Sequence, residues 1–353
     1  MCILLSSCAV SDKEVRSDLI HITNINSFKE DSFPKSQTLH AAIFNNSIIS
    51  KPSHLALYDT LLWVTEPAYV SDTLVRCYST SDHSYVKAVC LRGEGPSELL
   101  SAATINVSAD SSAYWIFDIT KQVWMKKAFN DPSAPSSANS YIMNLRDSVI
   151  AGIDNPLWLN NIHFAFNSLF KYKERFYICD SSTMIKRPIY NPAFTFKKDW
   201  DASILADIFS THMCTDESRS HIILAGRYLD LIEIYNADGK LIRMLKGPEK
   251  GFNFQFDQAR SIDRSVLVKS SESKRAYLDV KVASDKIYAL YSGKTKANKE
   301  HYSFSKKLYV FSMNGNSLIK YQLDQPICSF TIDVNKKRIY AISSNYELIY
   351  FQL

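Results

Sequence analysis

Short apolar runs recur along the chain between polar, turn-prone stretches. They fall at residues 61–64, 113–117, 175–179, 221–225, 286–291 and 338–342, and are rich in Ile, Tyr, Leu, Val and Phe. Aromatic and β-branched residues suit a pleated, half-buried surface, so each run predicts a strand. Later strands repeat as well. Residues 231–235 and 240–243 flank Asp238-Gly239, and 308–311 and 316–321 flank Asn314-Gly315. Asp-Gly and Asn-Gly accept the positive φ angles that tight hairpin turns need.

Six copies spaced roughly 45–65 residues apart lie within reach of a four-stranded propeller blade. The repeat therefore predicts an all-β, six-bladed β-propeller with the recurring runs as inner strands. The last unit supplies three strands, at 328–334, 338–342 and 347–352. A ring must close, so a strand within residues 39–49 is expected to complete that blade and remove its open edge. Two β-sandwiches side by side would explain the strands, but neither the six-fold phrase nor the short last unit. Helix is scarce, with one short turn expected at 201–209.

Composition agrees with this reading. The chain has 353 residues, with 20 Tyr and 19 Phe but only 9 Gly. The formal charge of +5 is small for this length and no basic run is interleaved with aromatics, so nucleic acid is not an expected partner. No run of about 18 apolar residues predicts a membrane-spanning helix. The seven cysteines include no Cys-x-x-Cys pair, and the eight histidines are scattered without metal-ligand spacing. Neither a metal nor another cofactor is expected. Cys77 and Cys90 sit symmetrically about 82–84 in one hairpin, where they either pair as a disulfide or remain two small buried hydrophobes.

The segment Leu5-Ser6-Ser7-Cys8 resembles the lipobox of bacterial lipoproteins, an aliphatic residue and two small residues before the Cys that is alkylated by diacylglycerol. The resemblance implies lipidation at Cys8. The apolar stretch before it is shorter than an ordinary signal, so this expectation requires residues upstream of Met1. The expected organisation is a remnant signal at 1–8, a flexible tether at 9–38 and the propeller at 39–353.

The loop Arg92-Gly93-Glu94-Gly95-Pro96-Ser97-Glu98-Leu99 closely resembles the Gly-x-Gly-Pro-x-Glu-Phe motif of the TolB-like six-bladed propeller lipoproteins of Bacteroidetes, with Leu99 in place of Phe. The resemblance extends to 274–280, 287–293 and the final blade, covering most of the chain from residue 39. It implies a fold and an envelope location at the outer membrane, but no established reaction. Asp12 and Glu14 close behind Cys8 also resemble the acidic export signal of surface lipoproteins, with Lys13 between them departing from it. Residues 246–252 echo the loop. It serves either as a connector between blades or as a rim that binds ligand through Arg92, Glu94 and Glu98. It is not a P-loop, because no Gly-Lys-Ser/Thr follows.

Arg227, Arg260, Arg275 and Asp279 lie near expected inner-strand boundaries and are candidates to line the central channel. Arginines there would favour a carboxylate or acidic sugar through bidentate hydrogen bonds. No catalytic constellation is legible, so catalysis stays undecided with the balance against it. The first expectation is a membrane-anchored binding or scaffold propeller whose partner is an envelope protein or a glycan. The alternative is a hydrolase or lyase acting on a carbohydrate or lactone in the channel.

Overall fold

The computed structural model describes residues 14–16, 20–44, 49–108, 113–128, 141–147, 150, 152–196, 201–249, 256–260, 265–269 and 271–353. The first three blades are antiparallel four-stranded sheets. Blade 1 runs His54–Tyr58, Leu61–Thr65, Thr73–Ser79, Tyr85–Leu91; blade 2 runs Thr104–Val107, Ala113–Asp118, Val123–Ala128, Tyr141–Asn144. Blade 3 runs Ile153–Trp158, His163–Ser168, Glu174–Asp180, Lys186–Tyr190, and blade 4 begins Thr211–Thr215, His221–Gly226, Leu231–Asn236, Leu241–Lys246. Blade 5 comprises Tyr277–Ala283, Lys286–Tyr291, Ser305–Ser312 and the first half of the long strand Ser317–Asp333. The second half of that strand opens blade 6, followed by Arg338–Ser343 and Leu348–Gln352. Ala41–Ile43 completes blade 6, inside the window expected to close the ring. Each first strand touches the first strand of the next blade, and the cycle closes between blades 6 and 1.

The packing explains why this repeat is legible. Each second strand lies between neighbouring blades, so both its faces meet apolar side chains and its pattern is continuous rather than alternating. Ala113–Asp118 is buried at every position. Its Tyr114 and Ile116 pack towards blade 1 with Trp63 and Cys77. Trp115 and Phe117 pack towards blade 3 with Trp124, Trp158 and Phe164. Trp124 and Trp158 stack across that interface with centroids 5.0 Å apart. Comparable clusters fill the other blade interfaces. The recurring runs are therefore the second strands of their blades, not the innermost ones. In blade 3 the run is the third strand, because His163–Ser168 precedes it.

The expected hairpins form, with φ of +81° at both Gly239 and Gly315. The short helix is Ala202–Ile208, capped by Asp201, whose carboxylate accepts from the Ser203 amide at 2.9 Å.

Residues 9–38 are not a free tether where the structure describes them. Ile20–Thr23 pairs with Phe194–Phe196, and Ile20, Ile22 and Ile25 are buried against the helix. Asn26–Ser27 then adds a parallel fifth strand to blade 4, and Lys35–Leu39 adds one to blade 5. Phe28 and Phe33 pack between these blades on Tyr309 and Phe311. The alternating Ile20-His21-Ile22 pattern is that of a strand with one covered face. Cys8 and the rest of the expected signal lie outside the described residues.

The disulfide alternative is also corrected. Cys77 stands opposite Lys87, and Cys90 stands opposite Val75, so the two thiols are out of register and free. Burial pushes both up to about 12, as expected for inert core cysteines.

Candidate functional site: the central channel and its mouth

The first strands of all six blades surround a cavity of about 860 Å³. His54, Thr104, Asp154, His212, Asp279 and Cys328 line it from blades 1 to 6 in turn. Loops at one end add Glu66, Tyr69, Arg227, Arg275 and Ser303. Most of the lining is short or polar, because converging first strands leave little room for large side chains.

Three cations face two carboxylates there, Glu66 apart. Arg227 donates through Nη2 to Asp154 Oδ2 at 3.0 Å. Lys281 Nζ lies 2.9 Å from Asp279 Oδ1. The second Asp279 oxygen accepts from Ser329 Oγ at 2.9 Å and from the Phe330 amide at 3.2 Å. Arg275 donates through Nη1 to Ser303 Oγ at 2.8 Å and lies over the Tyr302 ring. Glu66 is not available to balance the surplus, since it is paired with Arg76 and accepts from the Ser50 and Lys51 amides.

Among the described residues, three nitrogens at this end have no hydrogen-bond partner: Arg227 Nε, Arg275 Nε and His212 Nε2. A buried donor left without a partner costs stability, so such groups in one cavity mark a place where a ligand would be welcome. The Ala276 amide donates to the Arg227 carbonyl at 2.9 Å, tying the two arginine loops together. Burial holds His212 well below the ordinary imidazole value, and Arg227, Arg275, His54 and Lys281 push in the same direction. Burial lowers His54 too, against the pull of Asp279 and Asp154. Burial raises the channel thiols of Cys214 and Cys328 to about 12, which disqualifies them as ready nucleophiles. Among the described residues no three His, Cys, Asp or Glu side chains converge as metal ligands. At the mouth, the Lys51 ammonium lies 5.4 Å from the Tyr69 ring centre and 5.2 Å from that of Tyr346.

The glycine-rich loop has a different geometry. Glu98 Oε2 accepts from the Gly95 amide at 3.0 Å, and a Cβ at Gly93 would overlap that carboxylate. Lys121 of blade 2 donates to the Gly93 and Glu98 carbonyls at 3.0 and 3.2 Å. Arg92 donates to the Ala68 carbonyl at 2.9 Å, and Glu94 is exposed. The loop thus braces blade 1 against blade 2, and its link to the channel runs through Ala68 on the lining. Gly247-Pro248-Glu249 makes a second junction: Glu249 accepts from Lys274 at 3.0 Å, and its amide donates to Asp230 at 3.0 Å. Residues 250–252 of that echo lie outside the described residues.

Residues 28–335 match the family described as TolB-like 6-blade propeller-like. The chain belongs to this family. Among solved structures, a member of the DUF4221 family from Bacteroides vulgatus is similar at 12% identity and a TM-score of 0.58. That similarity covers 96% of this chain and 98% of the other. A Bacteroides fragilis structure named "Putative exported protein" is similar at 12% identity and a TM-score of 0.57, covering 90% and 97% respectively. At such identities the likeness speaks for the fold alone. No curated protein sequence matches the chain.

Within this TolB-like propeller, the expected residues separate. Arg227, Arg275 and Asp279 come together in the channel. Arg260 ends the strand Phe256–Arg260, paired with Ser265–Lys269 in a separate two-stranded sheet, and its side chain lies outside the description. Arg92, Glu94 and Glu98 sit in the brace. Sequence reasoning missed His54, Asp154, His212 and Lys281, which lie on first strands. Their signal was positional, since each lies on the strand that precedes its blade's second strand, and it becomes readable only once the strand order is known.

Proposed function

We propose that this TolB-like propeller is a non-catalytic binding or scaffold protein of the bacterial cell envelope, with its ligand site in the central channel. The observation that carries this reading is the excess of three cations, Arg227, Arg275 and Lys281, over two carboxylates, Asp154 and Asp279, with nitrogens on both arginines and His212 that lack a partner among the described residues. Such a site suits an anionic group, because guanidinium edges bind carboxylates in a defined geometry. The engagement of Asp154 by Arg227, and of Asp279 by Lys281, Ser329 and Phe330, weighs against the hydrolase or lyase alternative. General acid–base work needs carboxyl groups within reach of substrate rather than committed to structure.

The envelope location is supported by the lipobox-like Leu5-Ser6-Ser7-Cys8 and by the name of the similar Bacteroides fragilis protein. Lipid on Cys8 would hold the propeller at the outer membrane, facing the surface, since two or more buried acyl chains anchor stably. Intact mass and detergent partitioning of the full-length gene product in a Bacteroidetes host test the anchor. A lipid-sized mass gain that Cys8→Ala abolishes is the expected result, and an unmodified, water-soluble protein would overturn it. Retention of every envelope partner by a folded Arg227→Ala/Arg275→Ala variant would overturn the channel assignment.

A further inference from the structure

We infer that the channel takes a carboxylate-bearing sugar and that His212 takes up one proton from solvent as the sugar binds. This rests on the channel being the ligand site. The cavity, at about 860 Å³, lies in the range of sites for organic ligands rather than bare inorganic anions. One end of it offers Arg227, Arg275 and His212, each with a nitrogen that lacks a partner among the described residues. The loops at the same end offer exposed aromatic surface at Tyr69 beside Lys51. Charge-assisted hydrogen bonds for a carboxylate, with an aromatic platform beside them at the same end, match the two sides of a uronic acid.

The proton follows from the surroundings. On blade 4, His212 stands with Cys214 and Arg227; blade 5 presents Arg275, Asp279 and Lys281. Blades 1, 3 and 6 present His54, Asp154 and Cys328, and blade 2 presents the uncharged Asn106, which donates to the Pro156 carbonyl. Burial first, and then the neighbouring Arg227, Arg275 and Lys281, disfavour the imidazolium in the free site. A bound carboxylate reverses the local sign, and an imidazolium then becomes a third donor beside the two arginines. His54 is lowered by burial and already faces Asp279 and Asp154 as well as Lys281 and Arg227, so an added carboxylate changes its surroundings less. The arginines hold their charge throughout and cannot generate a pH dependence, and the two thiols titrate far too high. Imidazoles are therefore the groups placed to link binding to pH near neutrality.

The test is calorimetric titration of the whole protein with digalacturonate, with neutral digalactose and inorganic phosphate as comparison probes, between pH 5.5 and 7.5. Digalacturonate should bind roughly tenfold more tightly per unit of falling pH while His212 remains neutral in the free protein. Buffers of different ionisation enthalpy should report uptake of close to one proton in the wild-type protein, a readout that needs no variant. His212→Gln should flatten the pH profile, whereas His54→Gln should leave most of it. Digalacturonate binding without proton uptake would overturn the inference and leave the channel reading intact. Phosphate or digalactose binding as tightly would overturn the ligand class. If none of the probes binds at any pH, the inference falls; if Arg227→Ala/Arg275→Ala also retains every envelope partner, the channel reading falls with it.

Discussion

Blades 4 to 6 and blades 1 to 3 share one internal plan but end differently at the rim. On one side, residues 20–43 run along the outside of the ring, adding strands to blades 4 and 5 and completing blade 6. On the other, the outer strands Tyr85–Leu91, Tyr141–Asn144 and Lys186–Tyr190 have no further strand paired to them among the described residues. They carry exposed Tyr85, Val86, Leu91, Tyr141, Ile142 and Tyr190. An outer strand with unpaired backbone groups is a template for further pairing, and the belt removes that template from half the circumference. The difference teaches that the blade repeat defines the interior, while the edge of each sheet is settled by chain that lies outside the repeat.

The largest expected effect comes from removing the belt. Deleting residues up to Phe44 strips the fourth strand from blade 6 and uncovers the apolar groups that pack on Phe28, Phe33 and Leu39. No cooperative unfolding transition should remain by circular dichroism. A truncated chain that melted like the whole one would erase the contrast between the two sides.

A second test lies where the belted side begins. Between blades 3 and 4, Arg175 clasps Glu233 at 2.6 Å, and Asn191 and Tyr235 donate to the same carboxylate. Removing one partner of a buried ion pair leaves the other uncompensated, so Glu233→Ala should cost about 3–5 kcal/mol in urea denaturation. Phe28→Ala should cost a similar amount, about 3–5 kcal/mol, through the cavity it leaves.

The junction around Asp230 provides a smaller, pH-dependent test. Burial raises its carboxyl from 3.8 to about 6, against the opposing effects of Lys246 and the Glu249 amide. An acid whose folded value is raised stabilises the fold most below its unfolded value near pH 4, and that contribution is lost as pH rises through about 6. Wild-type stability should therefore fall relative to Asp230→Asn between pH 4 and 6.5, by about 2 kcal/mol. Paired denaturation curves at those two values measure it, and parallel curves would contradict it. The smallest effect is expected on the bare side, where Tyr141→Ser and Ile142→Ser should each change stability by less than about 0.5 kcal/mol. Losses as large as that of Phe28→Ala would mean that this edge is covered after all.

The ring was legible because its second strands are buried on both faces. Ala113–Asp118 and Arg338–Ser343 read as continuous apolar runs for that reason. Gly239 and Gly315 punctuated two hairpins with a requirement few other residues meet. Closure by Ala41–Ile43 followed from counting strands. The belt was not legible, because Ile20, Ile22 and Ile25 stand among polar neighbours and have their apolar partners far along the chain, between Ala193 and Met244. Arg227, Arg275 and Asp279 could be picked out at strand boundaries. His54 and His212 could not, since a lone histidine on a short strand carries no periodic signature and its importance comes from what the other blades place opposite it.

The pairing of Ala41–Ile43 with Leu348–Gln352 also sets an order of events during synthesis. Ala41 meets Phe351, separated from it by 351 − 41 = 310 positions in the chain. Leu39 meets Leu323, across 323 − 39 = 284 positions. The early strand must thus wait for its partner to be made about three hundred residues later, and contacts so distant along the chain form slowly. During synthesis the middle blades can assemble before the circle does, and closure is reserved for the stage at which Leu348–Gln352 has emerged to meet the waiting strand.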